Sequence, residues 1–231
     1  MIFADRGRDV LVVAPHPDDE TLGCGGTIFR HLDNGDRVHW LLCTSLENSE
    51  IADAETEILV KSQIETAHRF YGFSSLHSLK HPAAKLDTVS LGSIVKDIGQ
   101  TLDQIRPALV YVPHPGDAHS DHSVVFEAVT SCIKSFRRPY VSRVLAYETL
   151  SETEFSLRID RLSFRPNVFI YISAHIDRKV AAMEIYQTEI SAHPFPRSIE
   201  NIRSLATFRG AICGSRSAEA FVNVIEVCKG S

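Results

Sequence analysis

At 231 residues, with 44% hydrophobic and 23% charged side chains, the chain has an ordinary soluble composition and enough length to bury a substantial core. Its net charge of −5 offers no basic face to nucleic acid or to an anionic membrane, and the short cluster Phe136-Arg137-Arg138 makes no binding stripe. Five scattered cysteines without a C-x-x-C pair argue against a disulfide framework or a thiolate zinc site. Residues 1–6 lack a signal-peptide pattern and no run approaches the ~18 apolar residues of a membrane span, so the expected compartment is a reducing cytoplasm.

The first predicted strand, Asp9–Ala14, is a continuous apolar run at its centre, as a strand covered on both faces should be. It leads into Pro15-His16-Pro17-Asp18-Asp19-Glu20, which sets one imidazole and three carboxylates within five positions. A fold does not gather that much negative charge at a strand end without something to neutralise it, and a divalent metal is the most economical candidate. Pro17 enforces a turn between the potential ligands. A helix follows at Gly23–Asn34. Its Gly23-Cys24-Gly25-Gly26 run lacks the third glycine of a dinucleotide fingerprint, where Ile28 stands. These glycines are expected to allow close helix–strand packing, with Cys24 as a packing residue.

Further along come a strand at Arg37–Thr44, a helix at Ala52–Tyr71, a strand at Leu76–Leu79 and a helix at Leu91–Ile105, which Pro107 stops. The next strand, Ala108–Val112, opens onto the second polar cluster, His114-Pro115-Gly116-Asp117-Ala118-His119-Ser120-Asp121-His122. Taken singly, either cluster reads equally as a capped helix start, with Asp18 or Asp19 before the first helix and Ser120 or Asp121 before the helix Asp121–Phe136. Together, at the carboxyl ends of two strands of a parallel sheet, they read as one site. Histidine nitrogens with a carboxylate oxygen suit zinc, and three protein ligands with an open position mark a catalytic site. Strands at Arg143–Glu148 and Val168–Ser173, a helix at Ile176–Ile190, a Pro-containing loop His193–Arg197 and a helical pattern from Ser198 complete the chain. The strand–helix alternation predicts an α/β three-layer fold, a predominantly parallel sheet with helices on both faces. One domain over residues 1–231 is expected, with a core over about 1–173 and a helical and loop portion over about 174–231. His114, Asp117 and His193 are candidates to line the pocket, Asp117 through a sugar hydroxyl.

The two runs, in this order and spacing, resemble the PIG-L/LmbE-type zinc-dependent N-deacetylases. Weaker similarity extends to Ile176-Asp177-Arg178-Lys179-Val180-Ala181-Ala182, Arg209-Gly210 and Ala218-Glu219-Ala220-Phe221. The resemblance implies a Rossmann-like fold and a metal centre of His16, Asp19 and His122, holding Zn2+ or another divalent metal. It makes Asp18 the general base, His119 the group that stabilises the oxyanion, and Asp121 the carboxylate that orients His119. The implied substrate is a small-molecule N-acetylated amino sugar or glycoconjugate, and relatives often self-associate as homo-oligomers. Two departures bear on the substrate. Many relatives carry an arginine where this chain offers only Lys61, whose point charge lacks the bidentate fork. The loop Thr44–Glu50 is acidic and lacks the family's glycines, favouring a polyhydroxylated or cationic substrate. A Ser-Gln pair common on the late helix appears as Tyr186-Gln187. Two alternatives are a metal-dependent hydrolase of another amide or a phosphoester, and a non-catalytic carbohydrate-binding protein. The intact Asp18 argues against the last, since a zinc-binding remnant needs no base. A Gly-x-Ser-x-Gly elbow is absent.

Overall fold

The computed structural model describes residues 2–3, 6–47, 51–157 and 163–228. Asn48, Ser49 and Glu50 of the acidic loop lie outside the described residues. Seven strands form one sheet: β1 (Asp9–Ala14), β2 (Arg37–Ser45), β3 (Ser75–Pro82), β4 (Leu109–Pro113), β5 (Arg143–Tyr147), β6 (Val168–Tyr171) and β7 (Ala218–Glu226). Their spatial order is β3-β2-β1-β4-β5-β7-β6, and only β7 runs antiparallel to its neighbours. The helices are α1 (Asp19–Asp33), α2 (Ala54–Tyr71), α3 (Leu91–Ile105), α4 (Ser120–Cys132), α5 (Ile176–Met183) and α6 (Ile199–Cys213).

Alternation along the central strands divides the core. Val10, Val12 and Ala14 of β1 pack with α1, α2, α5 and α6 on one face, while Leu11 and Val13 pack with α3 and α4 on the other. The α/β three-layer arrangement is therefore as expected. Local chemistry sets the helix ends: Asp53, Ser90 and Ser198 accept from the N–H three residues on, and Gly72 and Gly214 close α2 and α6 in the left-handed conformation.

Three expectations need correction. The last third is not only helix and loop, because Ala218–Glu226 inserts as β7 between β5 and β6. Its first four residues are all buried, Glu219 included, which hides the strand alternation. The late helix stops at Met183 rather than Ile190, because Tyr186 turns into the core and donates to Glu20 Oε1 at 2.7 Å. The first helix begins at Asp19, four residues earlier than its apolar periodicity suggests, so the motif carboxylates occupy its first turn.

β1 is flanked by β2 on one side and β4 on the other, and the connections after β1 and β4 pass to opposite faces. This is the switch point of an open α/β sheet, where a crevice opens beyond the strand ends. Both polar clusters lie at that crevice.

Candidate active site

The turn after β1 is pinned from several sides. The Pro15 carbonyl accepts from the N–H and hydroxyl of Thr44 at 3.1 and 2.7 Å. Asp18 precedes α1 with φ of 110°, a conformation that an L-residue occupies only when its surroundings impose it. Those surroundings include Glu20, which accepts from the Asp18 N–H at 3.2 Å, the Thr21 hydroxyl at 2.6 Å and the Tyr186 phenol. Burial pushes the Glu20 carboxyl up to about 7, against the pull of the Thr21 and Tyr186 hydrogen bonds. The Asp18 side chain caps nothing, and at α4 the cap is His119, whose Nδ1 accepts from the Asp121 N–H at 3.1 Å. Simple helix capping by the aspartates therefore does not account for either cluster.

Three ligand atoms converge. His16 Nδ1 and His122 Nε2 lie 3.3 and 3.4 Å from Asp19 Oδ2. On their far sides, His122 Nδ1 meets Asp117 Oδ2 at 2.8 Å and His16 Nε2 meets Asp121 Oδ2 at 2.9 Å. Each imidazole is thus backed by a carboxylate that presents its other nitrogen to the centre, the arrangement that orients metal-binding histidines. His122 Nε2 is buried with no hydrogen-bond partner, aimed at the point where the three residues meet. His16, Asp19 and His122 are a group with the reach and donor types to hold a divalent ion.

Charge agrees with geometry. Burial disfavours protonating His16, yet the Asp121 and Asp19 carboxylates raise it to about 9. His122 is likewise raised despite burial, by Asp19 and Asp117, while the two imidazoles hold Asp19 far below the carboxylate range. Three carboxylates, Asp19, Asp117 and Asp121, face the two imidazoles, so positive charge, whether protons on the rings or a bound cation, is favoured at this point. Asp18 behaves oppositely: burial, then Asp19 and Glu189, push its carboxyl well above the ordinary range. Burial lowers His119. A neutral His119 accepting at Nδ1 carries its proton on Nε2, ready to donate.

The expected orientation of His119 by the Asp121 carboxylate is not what forms. That carboxylate bonds His16 and the Ala84 and Leu86 N–H groups at 2.8 and 3.0 Å, and only the Asp121 backbone reaches His119. Asp117 is no sugar contact either: it is buried and bonds His122 and the Thr153 hydroxyl. His193 is exposed and lies outside the lining of the cavity, and His114 packs edge-on to Phe164 beside a second cavity. Lys61 does line the main cavity.

The cavity over the centre has a volume of about 490 Å³, within the range of roughly 300–1,000 Å³ typical of small-molecule sites. One wall is polar: Thr149, Glu152, Glu189 and Arg197. Arg197 is braced by the Glu189 carboxylate and carbonyl, both at 2.9 Å, and by the Ser151 hydroxyl at 2.8 Å. Sequence reasoning missed Glu152, Glu189 and Arg197, because nothing local marks them and only the fold carries them to the cavity.

Behind the centre, α1 is clamped by a buried ion pair. Lys179 Nζ lies 2.6 Å from Glu219 Oε1 and donates to the Leu22 carbonyl at 2.7 Å, while Glu219 accepts from the Gly26 and Thr27 N–H groups at 3.0 and 2.7 Å. A Cβ at Gly25 would fall 3.0 Å from Lys179 Cγ, and the neighbouring glycines let α1 pack closely on other elements. A Cβ at Gly23 would overlap the Tyr147 ring, and one at Gly26 would fall 2.7 Å from Ile172.

Residues 11–133, which include both motif runs, match the model of the PIG-L family, described as GlcNAc-PI de-N-acetylase. The chain is 25% identical to the diacetylchitobiose deacetylase of Thermococcus kodakarensis, over 92% of this chain and 81% of that protein. It is 28% identical to the 1D-myo-inositol 2-acetamido-2-deoxy-alpha-D-glucopyranoside deacetylase of Saccharomonospora viridis, over 80% and 86% respectively. Among solved structures, the conserved protein TT1542 of Thermus thermophilus superimposes with a TM-score of 0.76 at 26% identity, covering 96% of this chain and 97% of that one. With a family match over more than half of its length and the fold to accompany it, the chain belongs to the PIG-L family of de-N-acetylases.

Proposed function

We propose that the protein is a divalent-metal-dependent hydrolase that removes the N-acetyl group from an amino sugar or glycoconjugate, with the whole chain acting as one domain. The observation that carries this reading is the convergence of His16, Asp19 and His122 beside a buried, strained Asp18 in a ligand-sized cavity. The similarity to deacetylases of acetamido sugars supports it.

His16, Asp19 and His122 would hold the ion, and two nitrogens with one carboxylate oxygen would favour zinc. When bound, it supplies Lewis-acid polarisation of the amide and eases deprotonation of water. Asp18, a buried carboxylate whose pKa burial and the neighbouring Asp19 raise, takes the proton from the attacking water and returns it to the departing amine. His119 donates from Nε2 to the carbonyl oxygen as negative charge develops there. Asp117 and Asp121 keep the ligand imidazoles in their tautomers. Arg197, Glu152 and Lys61 meet the hydroxyls of the sugar. The compartment we assign is the cytoplasm, supported by the free state of all five cysteines; no helix among the described residues is long and apolar enough to cross a membrane.

Acetate release from N-acetylglucosamine and N,N′-diacetylchitobiose, with metal analysis of the purified protein, tests the reading. Acetate is expected in proportion to bound metal. Phosphate release from phosphomonoesters without any acetate would replace it with the phosphoester alternative.

A further inference from the structure

Asp18 and Asp19 are consecutive, yet separate sets of contacts hold them. Asp19 Oδ2 accepts from the His16 N–H at 2.8 Å, within the group that would ligate the metal. Asp18 sits at φ of 110°, and its carbonyl opens α1 by accepting from the Thr21 and Leu22 N–H groups at 2.9 and 2.8 Å. Its own N–H donates to Glu20 Oε2 at 3.2 Å. The other Glu20 oxygen accepts from the Thr21 hydroxyl at 2.6 Å and the Tyr186 phenol at 2.7 Å, and the Thr21 hydroxyl meets that of Tyr71 at 2.8 Å. All four of these side chains are buried. Glu20 lies outside both the lining of the cavity and the ligand group, so its carboxyl acts on neither substrate nor ion directly. Burying a carboxyl costs free energy that an apolar side chain would not. What this one serves at the site is the Asp18 N–H, and a left-handed φ at a non-glycine residue persists only where its surroundings over-determine it.

We infer that Glu20 is a positioning residue for the base, itself fixed by Tyr186 and Thr21: its bond to the Asp18 N–H keeps Asp18 in the left-handed conformation that presents its carboxylate to the cavity, while Asp19 stays with the ligand group. This rests on the proposed role of Asp18. Rate depends steeply on such placement, because a reacting group misplaced by about 1 Å can cost ~10²-fold. Since His16 holds Asp19 independently, loss of Glu20 should disable the base and spare the metal.

Glu20→Leu and Glu20→Gln are compared on whichever of N-acetylglucosamine and N,N′-diacetylchitobiose releases acetate. Glu20→Leu should lower kcat by ~10–100-fold, with KM within about threefold and bound metal per chain unchanged by elemental analysis. Glu20→Gln, whose amide oxygen still accepts from the Asp18 N–H, should recover most of that loss. In an Asp18→Asn background Glu20→Leu should cost less than about threefold more, because the group it positions is gone. Equal losses in both backgrounds, or a kcat that falls only in step with metal content, would make Glu20 a structural residue and overturn the inference. Should Glu20→Leu fail to fold, Tyr186→Phe keeps its ring in the core and removes only the hydroxyl. It should lower kcat by at least ~3-fold with metal retained, and an unchanged kcat overturns the inference. If neither sugar releases acetate, the deacetylase reading falls first, and crystal structures of the two variants decide this inference alone. Asp18 should leave its positive φ while His16, Asp19 and His122 keep their places; an Asp18 still near 110° overturns it.

Discussion

Replacing Lys179 by methionine removes the cation from a buried pair that reaches into the middle of α1. Both side chains are about 5% exposed or less, and the ammonium lies 2.6 Å from Glu219 and 2.7 Å from the Leu22 carbonyl. The variant leaves the buried Glu219 carboxyl with only the Gly26 and Thr27 N–H groups for hydrogen-bond partners among the described residues, and leaves Leu22 without its ammonium donor. Breaking one side of such a pair costs about 3–5 kcal/mol, a large part of the 5–15 kcal/mol that holds an ordinary domain. At about 2–4 °C per kcal/mol for a chain of this size, Tm should fall by about 10 °C. The double variant Lys179→Met with Glu219→Gln removes both charges and keeps an amide oxygen to accept one of the two N–H groups. It should be less destabilised than the sum of the single variants by at least ~2 kcal/mol. Urea and thermal unfolding followed by circular dichroism measure all four corners of this cycle. A Lys179→Met loss below about 1 kcal/mol, or additivity within about 0.5 kcal/mol, would refute the clamp as a coupled unit. Because Asp19 stands in the first turn of the same helix, the single variants should also bind zinc more weakly, read by chelator competition.

Three further expectations follow from the centre and its surroundings. Asp18→Asn should keep its full complement of metal by elemental analysis while kcat falls by ~10²–10⁴-fold, because a proton acceptor and not a ligand has gone; a metal-depleted variant would reverse the assignment of Asp18 and Asp19. Asp117→Asn weakens the acceptor behind His122 Nδ1 and should lower metal affinity by ~10–100-fold, and unchanged affinity would remove Asp117 from the centre. Burial alone would raise Asp36, but hydrogen bonds from His31 and Arg8 hold it down to about 2. A depressed carboxylate contributes stability above its unfolded value near ~4 that is lost as pH falls. Unfolding free energy should therefore drop between about pH 4 and 2, and Asp36→Asn should flatten that limb of the profile.

Much of the sheet was legible because its central strands are continuous apolar runs and its helices are separated from them by clear breaks, as at Pro107. The strand β7 was not, because Glu219 sits buried between Ala218 and Ala220 and is neutralised by a lysine from a distant helix. The end of α5 was illegible for a similar reason: Tyr186 leaves the helix to satisfy Glu20, a contact no local pattern announces. At the site, residue types and order gathered the two polar runs, and the resemblance to the deacetylases pointed within them to His16, Asp18, Asp19, His119, Asp121 and His122. They did not reveal that Asp121 would back His16 rather than His119, or that Asp117 would back His122.

The sequence by itself determined the alternation of elements and the collection of imidazoles and carboxylates at two strand ends, since both depend on residues within a few positions of one another. Tertiary structure alone decided which carboxylate serves which imidazole, which way each ring nitrogen faces, and that Arg197 joins the wall of the cavity. Those pairings join segments far apart in the chain. They exist only because the sheet order sets β1 beside β4 and the helices pack their loops over the same crevice.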